Sequence, residues 1–483
     1  MIALAWIACG GDDASLPGTT TAPTSEPPIA STTGDPPTPT DTPTTGDPPE
    51  EGPPPLTGPA FADCTTDAPW SADNGTLSAV FVDLAEHPLA RCNDGSPGLY
   101  YVIPGGNDWL VYLDGGSLCK NHATCVARWC DGLDPYDHTD MSSVGAPANK
   151  GLAGVFGDQP ANPFFGWTRV YVHYCSSDLW SGHTEEPVEL QDTGSPTGEG
   201  DYTIYFNGND ILHGVLNELF APTRRAELSE MPPATDIGRF VFAGGSAGGV
   251  GTIWNGDAVA ERVLATAPSA DVTLGVVAGL GQGLQASTDP WGPLDAPDTL
   301  IDAIQGQWGM KSLAEDALSP AKYNSQIDAT CIANHPDDGW WCGDPIHVLT
   351  HAVSTPFFVI QDQLDPVWLG NLDDAVDGGD GPLAGQIQGD SWAEQVRDLT
   401  LHWDDITSPD TPSAYVDGGR PVGFYVPRCM EHDGYPKNAN LFYDYTVPTL
   451  DGDASLASLW GAFLVGETAR GLTLADDVPD CGP

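Results

Sequence analysis

The chain has 483 residues, of which 40% are hydrophobic and 9% are aromatic, so it carries enough apolar side chains to fold around a large core. Its 68 acidic residues outnumber its 16 Lys and Arg residues and give a formal net charge of -52. A surface of this sign repels nucleic-acid phosphates, which excludes nucleic acid as a partner. We interpret the acidity as a solubility feature, because Asp-rich stretches such as LDDAVDGGDGP lack the ligand spacing of a calcium loop.

The first nine residues, MIALAWIAC, form a short apolar run. The run resembles the end of a bacterial lipoprotein signal, in which Cys9 would be lipidated and would tether the chain to a membrane. A cleaved secretory signal and a chance apolar start are the alternatives, because no basic segment precedes the run. Either kind of leader predicts an extracytoplasmic protein, as a bacterial cell-surface lipoprotein or in secreted form.

Residues 10–59 contain no aromatic and no basic residue and repeat the hexamer TTGDPP at 32–37 and 44–49. Such a segment buries too little apolar surface to fold and predicts a disordered linker rich in Pro and Thr. The composition of residues 60–483 is globular without a second linker, which predicts one large domain with loop insertions. We expect this domain to be a monomer, and it contains no segment long and apolar enough to span a bilayer.

The eleven cysteines favour an oxidising compartment. Apart from the cysteine of the leader, ten remain, which allows up to five disulfides. The spacing suggests local pairs between Cys119 and either Cys125 or Cys130, and between Cys331 and Cys342. Zinc binding is the alternative, but no CxxC pair occurs, and we predict no metal site.

Five short runs rich in Val, Tyr and Phe recur along the globular part and predict buried strands. They are WLVYLDGG at 109–116, RVYVHYC at 169–175, RFVFAGG at 239–245, PFFVIQD at 356–362 and VGFYVP at 422–427. Segments with helical periodicity separate them, for example DILHGVLNELF at 210–220. This alternation predicts an α/β domain with a mostly parallel central sheet flanked by helices.

The sequence GGSAG at 244–248 directly follows the third of these strands. Apolar residues continue after it at helical spacing: Val250, Ile253, Trp254 and Ala258. A strand, a G-x-S-x-G turn and a helix in this order are typical of a nucleophile elbow, whose small residues let the backbone cross closely. An ordinary glycine-rich turn and a phosphate-binding loop are the alternatives, but no GKS or GKT completes a phosphate motif. We therefore predict that Ser246 is a nucleophile.

A nucleophilic serine needs a base and an acid that orients the base, and in α/β-hydrolases the acid and then the histidine follow the serine along the chain. Asp362 and Asp365 follow the strand at 356–362, and the residues alone do not choose between them. His432 follows the strand at 422–427 and is the preferred base. The other histidines after the serine are interpreted as surface or structural residues: His335, His347, His351 and His402.

The same chemistry requires backbone N–H groups that face the developing oxyanion. One is usually supplied by the residue after the nucleophile, here Ala247. Others come from a glycine-rich loop after an early strand, and VYLDGGSLC at 111–119 provides Gly116 and Ser117. A plain turn is the alternative interpretation of this loop.

Five separated blocks resemble the pectin acetylesterase family, which includes Notum-like carboxylesterases. The blocks are VYLDGGSLCKNHATCVARW at 111–129, VYVHYCSSDLWSG at 170–182, FAGGSAGGVG at 242–251, FFVIQDQLDPVWL at 357–369 and FYVPRCMEHDGY at 424–435. They occur in the family's order and span nearly the whole globular part. The resemblance implies an α/β-hydrolase-like fold.

The resemblance also implies a role for individual residues. The family's nucleophile, base and acid fall on Ser246, His432 and Asp365, which leaves Asp362 as the spare carboxylate. Its oxyanion donors fall on the three residues already proposed for that role. The chain departs from the family at Gly245, where cysteine is usual, and at 117–118, where the family has aromatic residues near the acyl group.

The function expected is that of a serine carboxylic-ester hydrolase that needs no cofactor and removes acyl groups, most simply acetyl, from a glycan or another extracellular ester. The high negative charge repels polygalacturonate, so an esterase for longer lipid acyl chains is an alternative. A second alternative is a catalytically silent surface glycan-binding protein on a hydrolase scaffold, with Trp180 and Trp254 in contact with sugar.

Overall fold

A computed structural model describes most of the globular part of the chain. The described residues are 70, 75–119, 122–130, 136–190, 201–221, 225–280, 324–336, 342–367, 393, 396–397, 399–401, 420–429, 431–449, 452–467 and 469–474. The predicted leader with Cys9, the linker at 10–59 and His402 lie outside them. None of the described helices is long and apolar enough to cross a membrane.

The described strands are β1 Leu77–Phe81, β2 Leu99–Ile103, β3 Gly106–Leu113, β4 Asn149–Lys150, β5 Trp167–Val172, β6 Val188–Leu190, β7 Tyr202–Ile204, β8 Arg239–Gly245, β9 Asp271–Val277, β10 Phe357–Ile360, β11 Val422–Val426, β12 Thr446–Thr449, β13 Gly452–Ser455 and β14 Arg470–Leu472. The described α-helices are α1 His122–Trp129, α2 Gly208–Phe220, α3 Ala247–Thr266, α4 Ala329–Asn334, α5 Pro345–His351, α6 Ala439–Tyr443 and α7 Leu456–Phe463. Single turns of 3-10 helix occur at His138–Asp140, Gly154–Phe156, Ala226–Leu228 and Ala234–Asp236.

Ten of these strands form one sheet in the order β14-β11-β10-β9-β8-β3-β5-β2-β1-β4. From β14 to β5 all neighbours are parallel, and β2, β1 and β4 extend the sheet in antiparallel fashion. All five strands predicted from the apolar runs belong to the parallel part. The prediction of an α/β-hydrolase-like fold with a mostly parallel sheet is confirmed.

Both faces of the sheet are covered, as a parallel sheet requires. Along β3, Trp109, Val111 and Leu113 pack on one face with α2, α3 and α5. Leu110 and Tyr112 point to the other face, which α6 and α7 cover. The helix predicted at 210–220 is α2.

The predicted helix after the elbow is α3, but its buried side is offset from the predicted one. Val250, Ile253 and Trp254 are buried as expected. Ala258 is exposed. The residues that enter the core in this part of the helix are instead Val259 and, one turn later, Val263. This follows from the 3.6-residue period of the helix.

Disulfides join Cys119 to Cys125 and Cys331 to Cys342, which confirms both local pairings. A third bond joins Cys92 to Cys175 across 83 residues and was not predicted, because sequence spacing gives no sign of such a long-range approach. Cys130 and Cys429 are also disulfide-bonded.

Candidate active site

Every residue proposed for the catalytic centre lies just beyond the carboxyl end of a parallel strand. Ser246 follows β8, Gly116 follows β3, Asp365 follows β10 and His432 follows β11. The carboxyl ends of parallel strands meet along one edge of a sheet, where open α/β folds bind their ligands. A cavity of about 270 Å³ lies at the opposite edge, beside the first residues of β9, and takes no part in this arrangement.

Ser246 occupies a strained turn between β8 and α3. Its φ of 55° and ψ of -119° lie in a region that L-residues rarely adopt, as a nucleophile elbow requires. A β-carbon on Gly244 would overlap the carbonyl of Gly248, and one on Gly248 would overlap the carbonyl of Leu113. The two glycines of the motif are therefore required by the close crossing of β8, α3 and β3.

His432 and Asp365 form a hydrogen-bonded pair. The Nδ1 atom of His432 lies 2.7 Å and 2.8 Å from the two carboxylate oxygens of Asp365. Asp365 is fully buried and also accepts hydrogen bonds from the Gln361 side chain at 3.1 Å and the Val367 N–H at 3.0 Å. A carboxylate fixed in this way holds the proton on Nδ1, which makes Nε2 the basic nitrogen of the ring.

Asp362, the alternative acid, has a different environment. Its carboxylate accepts a hydrogen bond from the Tyr435 hydroxyl at 3.2 Å. Burial raises the pKa of Asp362 well above its ordinary value, and the charge of Asp365 raises it further. The structure thus places Asp365 against the histidine, whereas burial and the neighbouring charge disfavour the ionised form of Asp362.

A partly buried ionic cluster connects the loop of the histidine with the loop after β3. Lys437 donates to Asp433 at 2.8 Å and to Asp114 at 3.3 Å, and the Tyr112 hydroxyl donates to Asp433 at 3.2 Å. Burial lowers the pKa of Lys437, but the two carboxylates outweigh this effect and raise it. The lysine is therefore charged, and we call these four residues the Lys437 cluster.

The Lys437 cluster also reaches the elbow. A β-carbon on Gly115 would lie 2.9 Å from Cβ of Ser246 and 3.0 Å from Oδ2 of Asp433. Asp433 directly follows His432, so the loop of the histidine, the loop after β3 and the elbow come together at this point. The sequence analysis missed Asp433 and Lys437. A signal was present in HDGYPK, where Asp433 directly follows the predicted base and Lys437, one of only 16 Lys and Arg residues, lies four positions after Asp433.

The loop that carries the proposed oxyanion donors is also strained. Gly116 has a φ of 141° and Ser117 a φ of 57°. Beneath the loop lies Arg128, which is 1% exposed and has no hydrogen-bonded nitrogen within the described part of the chain. Its guanidinium lies 4.4 Å from the centre of the Tyr136 ring, and its Nη2 would lie 3.2 Å from a β-carbon on Gly116. A buried positive charge beside this loop favours negative charge that develops there.

The segment YCSSDLWSG at 174–182 supports the elbow from the side. Asp178 is buried and accepts hydrogen bonds from Gly208 N–H at 2.7 Å, Ser176 hydroxyl at 2.7 Å and Trp180 N–H at 3.1 Å. Burial raises the pKa of Asp178 to about 6. The Trp180 indole donates to the carbonyl of Asp114 at 3.0 Å, which fixes the start of the loop after β3.

Both tryptophans suggested as sugar contacts are buried. Trp180 is 0% exposed and Trp254 is 5% exposed. Side chains covered to this extent offer no surface to a glycan, so the expectation that they bind sugar is wrong. Trp180 instead packs against α3 at Gly251, and Trp254 lies in the same hydrophobic core.

Residues 71–280 match the family model of the pectinacetylesterases. Over these residues the chain is similar to the pectinacetylesterases. The resemblance noted in the sequence is thereby confirmed. The matched range includes the serine elbow and the loop after β3 and ends before the acid and the histidine.

Proteins similar to this chain include the palmitoleoyl-protein carboxylesterase NOTUM of Schmidtea mediterranea, 32% identical over 36% of this chain and 29% of that protein. The human protein of the same name is 32% identical over 38% of this chain and 33% of its own length. The chain thus matches about a third of the length of these relatives.

The solved structure of the Wnt deacylase Notum from Drosophila resembles the chain over a longer range. It covers 84% of this chain and 99% of the Notum chain, with a TM-score of 0.59 and 21% identity. A second crystal form gives a TM-score of 0.57. At this level of identity the likeness establishes the fold.

Proposed function

We propose that this chain is a serine carboxylic-ester hydrolase with Ser246, His432 and Asp365 as its catalytic triad. The observation that supports this most directly is the His432–Asp365 pair at the same edge of the sheet as the strained Ser246 elbow. The names of the family and of its relatives, pectinacetylesterase and palmitoleoyl-protein carboxylesterase, denote enzymes that act on carboxylic esters.

In the proposed reaction, Nε2 of His432 removes the hydroxyl proton of Ser246 as the oxygen attacks the ester carbonyl. Asp365 stabilises the imidazolium that forms, and His432 then donates the proton to the departing alcohol. Water hydrolyses the acyl-enzyme by the same base. The N–H groups of Gly116, Ser117 and Ala247 are the proposed donors to the oxyanion, and each is worth on the order of 100-fold to 1000-fold in kcat.

The acyl group is proposed to be small, most simply acetyl on a neutral glycan. A longer lipid chain is the second candidate, because the relatives are named for a palmitoleoyl ester. The net charge of -52 disfavours an anionic polysaccharide at low salt. Comparing kcat/KM for acetyl and octanoyl nitrophenyl esters distinguishes the two, and a preference for octanoyl would overturn the acetyl assignment.

The serine mechanism is tested with Ser246→Ala and with Ser229→Ala, a matched serine in an exposed loop. We expect Ser246→Ala to lose turnover of nitrophenyl acetate and labelling by a fluorophosphonate probe, while Ser229→Ala keeps both. A Ser246→Ala protein that is still labelled and still active would refute the triad. A wild-type protein that is neither labelled nor active would favour the silent binding protein.

We also propose that the protein works outside the cytoplasm as a monomer, tethered through lipidated Cys9. The described disulfides Cys92–Cys175, Cys119–Cys125 and Cys331–Cys342 support an oxidising compartment. Phase partition in a detergent of wild type and Cys9→Ser tests the tether. Only the wild type should enter the detergent phase, and equal partition of both would exclude lipidation.

A further inference from the structure

Two histidines that the proposed reaction does not use meet beside a disulfide. His335 follows α4, within the loop that Cys331–Cys342 closes, and His347 lies on α5. Their Nε2 atoms are 2.9 Å apart. The disulfide restricts the loop, so the two imidazoles are held close to each other with little further loss of conformational freedom.

A third imidazole stands next to this pair. His351 lies one turn after His347 on α5, and the centres of their rings are 4.9 Å apart. The rings of His335 and His347 are 4.8 Å apart. All three side chains are half-buried, so a small ion from solvent can reach them. We call them the histidine cluster.

The separation of the two Nε2 atoms fits a shared metal ion. With metal–nitrogen bonds of about 2.0–2.1 Å, neighbouring ligands at a right angle lie about 2.9 Å apart, as in tetragonal nickel or copper sites. The sulfur of Cys331 is within 4.8 Å of the same nitrogens. Because that sulfur belongs to a disulfide, it supplies no thiolate, and the ligand set is imidazole.

We propose that the histidine cluster binds one divalent late transition-metal ion through Nε2 of His335 and Nε2 of His347. Imidazole is a ligand that suits nickel, copper and zinc. The high negative charge of the chain raises the local concentration of cations near its surface.

The bound ion would fasten the disulfide loop to α5. Ile346, Val348 and Leu349 of α5 pack in the same core as α3, the helix that begins beside Ser246. Asp257 of α3 accepts hydrogen bonds from the main chain just after α5, at Ser354 and Thr355. We therefore expect a stabilising role, through the support of α3, rather than a part in ester hydrolysis.

The site is tested by isothermal titration of the tag-free full chain with Ni²⁺ after removal of metals by a chelator. We expect one ion per chain, and a loss of affinity of at least about tenfold in His335→Gln and in His347→Gln. His87→Gln, outside the cluster, should bind as the wild type does. Equal affinity in the wild type and both cluster variants, or no binding by the wild type, would show that the two imidazoles only share a hydrogen bond.

A spectroscopic measurement on the wild type covers the case in which a cluster variant does not fold. Electron paramagnetic resonance of the chain with one equivalent of Cu²⁺ should show coupling to at least two nitrogen ligands. A spectrum without nitrogen coupling would overturn the site. Ser246→Ala should bind the ion normally, so failure of the metal site and failure of the esterase proposal can be told apart.

Discussion

The carboxylate of Asp433 occupies the space that a β-carbon on Gly245 would need. Members of the pectin acetylesterase family, which this chain resembles, usually have cysteine at that position. In the structure the missing side chain makes room for the carboxylate of Asp433, which Lys437 neutralises. The residue before the nucleophile and the residue after the histidine are therefore fitted to each other.

Gly245→Ala should disrupt this fit. The added methyl would overlap Oδ1 of Asp433 and push the loop of His432 away from the elbow. We expect kcat for nitrophenyl acetate to fall by more than tenfold and the free energy of unfolding to fall by about 1–3 kcal/mol. Gly461→Ala on α7, where the nearest atom would be 3.5 Å away, is the control and should keep full activity. Equal kcat in both variants would contradict the proposed contact.

The choice between the two acids is tested by Asp365→Asn and Asp362→Asn. An amide at 365 cannot accept the Nδ1 proton in the same way and favours the wrong tautomer of His432, so kcat should drop by ~10⁴-fold. Asp362 accepts a hydrogen bond from Tyr435, and the carboxylate that contacts His432 is that of Asp365, so an amide at 362 should keep kcat within the same order of magnitude. The opposite ranking of the two kcat values would exchange the assignments.

Lys437→Met should leave two partly buried carboxylates without their cation. Removing one partner of a fully buried ion pair typically costs about 3–5 kcal/mol, which is an upper bound here because these side chains are partly exposed. Without the lysine, the pKa values of Asp114 and Asp433 rise in the folded state. The loss of stability caused by the substitution therefore grows as the pH rises through these pKa values and becomes smaller in acid. Urea unfolding at pH 7 and pH 4 measures this loss of stability.

The control is Glu227→Gln, which removes an exposed partner of Arg225 at 3.7 Å. It should cost no more than about 1 kcal/mol. A similar cost for the two variants would argue against the cluster.

Asp178 should make the protein less stable as the pH rises. Burial raises its pKa to about 6 in the folded state, from 3.8, so the native state binds the proton more tightly than the unfolded chain. The protonated side chain therefore stabilises the folded state fully at acidic pH. This stabilisation, on the order of 2–3 kcal/mol, is lost as the pH rises through about 6. The free energy of unfolding of wild type and Asp178→Asn between pH 4 and 7 checks it. Parallel curves for the two proteins would show that Asp178 does not titrate in this range.

The amino-acid sequence alone predicted those elements that depend only on residues close together in the chain. The five apolar runs became strands of the parallel sheet, and GGSAG predicted the turn at Ser246, because a few neighbouring residues determine which backbone path is sterically open. The two short disulfide loops followed from spacing for the same reason. The catalytic roles of the residues remain proposals.

Tertiary packing decided which residues from distant parts of the chain come into contact. It placed Asp365 rather than Asp362 against His432, filled the space beside Gly245 with Asp433, and buried Trp180. Each of these depends on how far apart strands stand in the sheet and on which side chains compete for one volume. Residues near in space but remote in sequence share no local pattern, so only the folded chain reveals which of them meet.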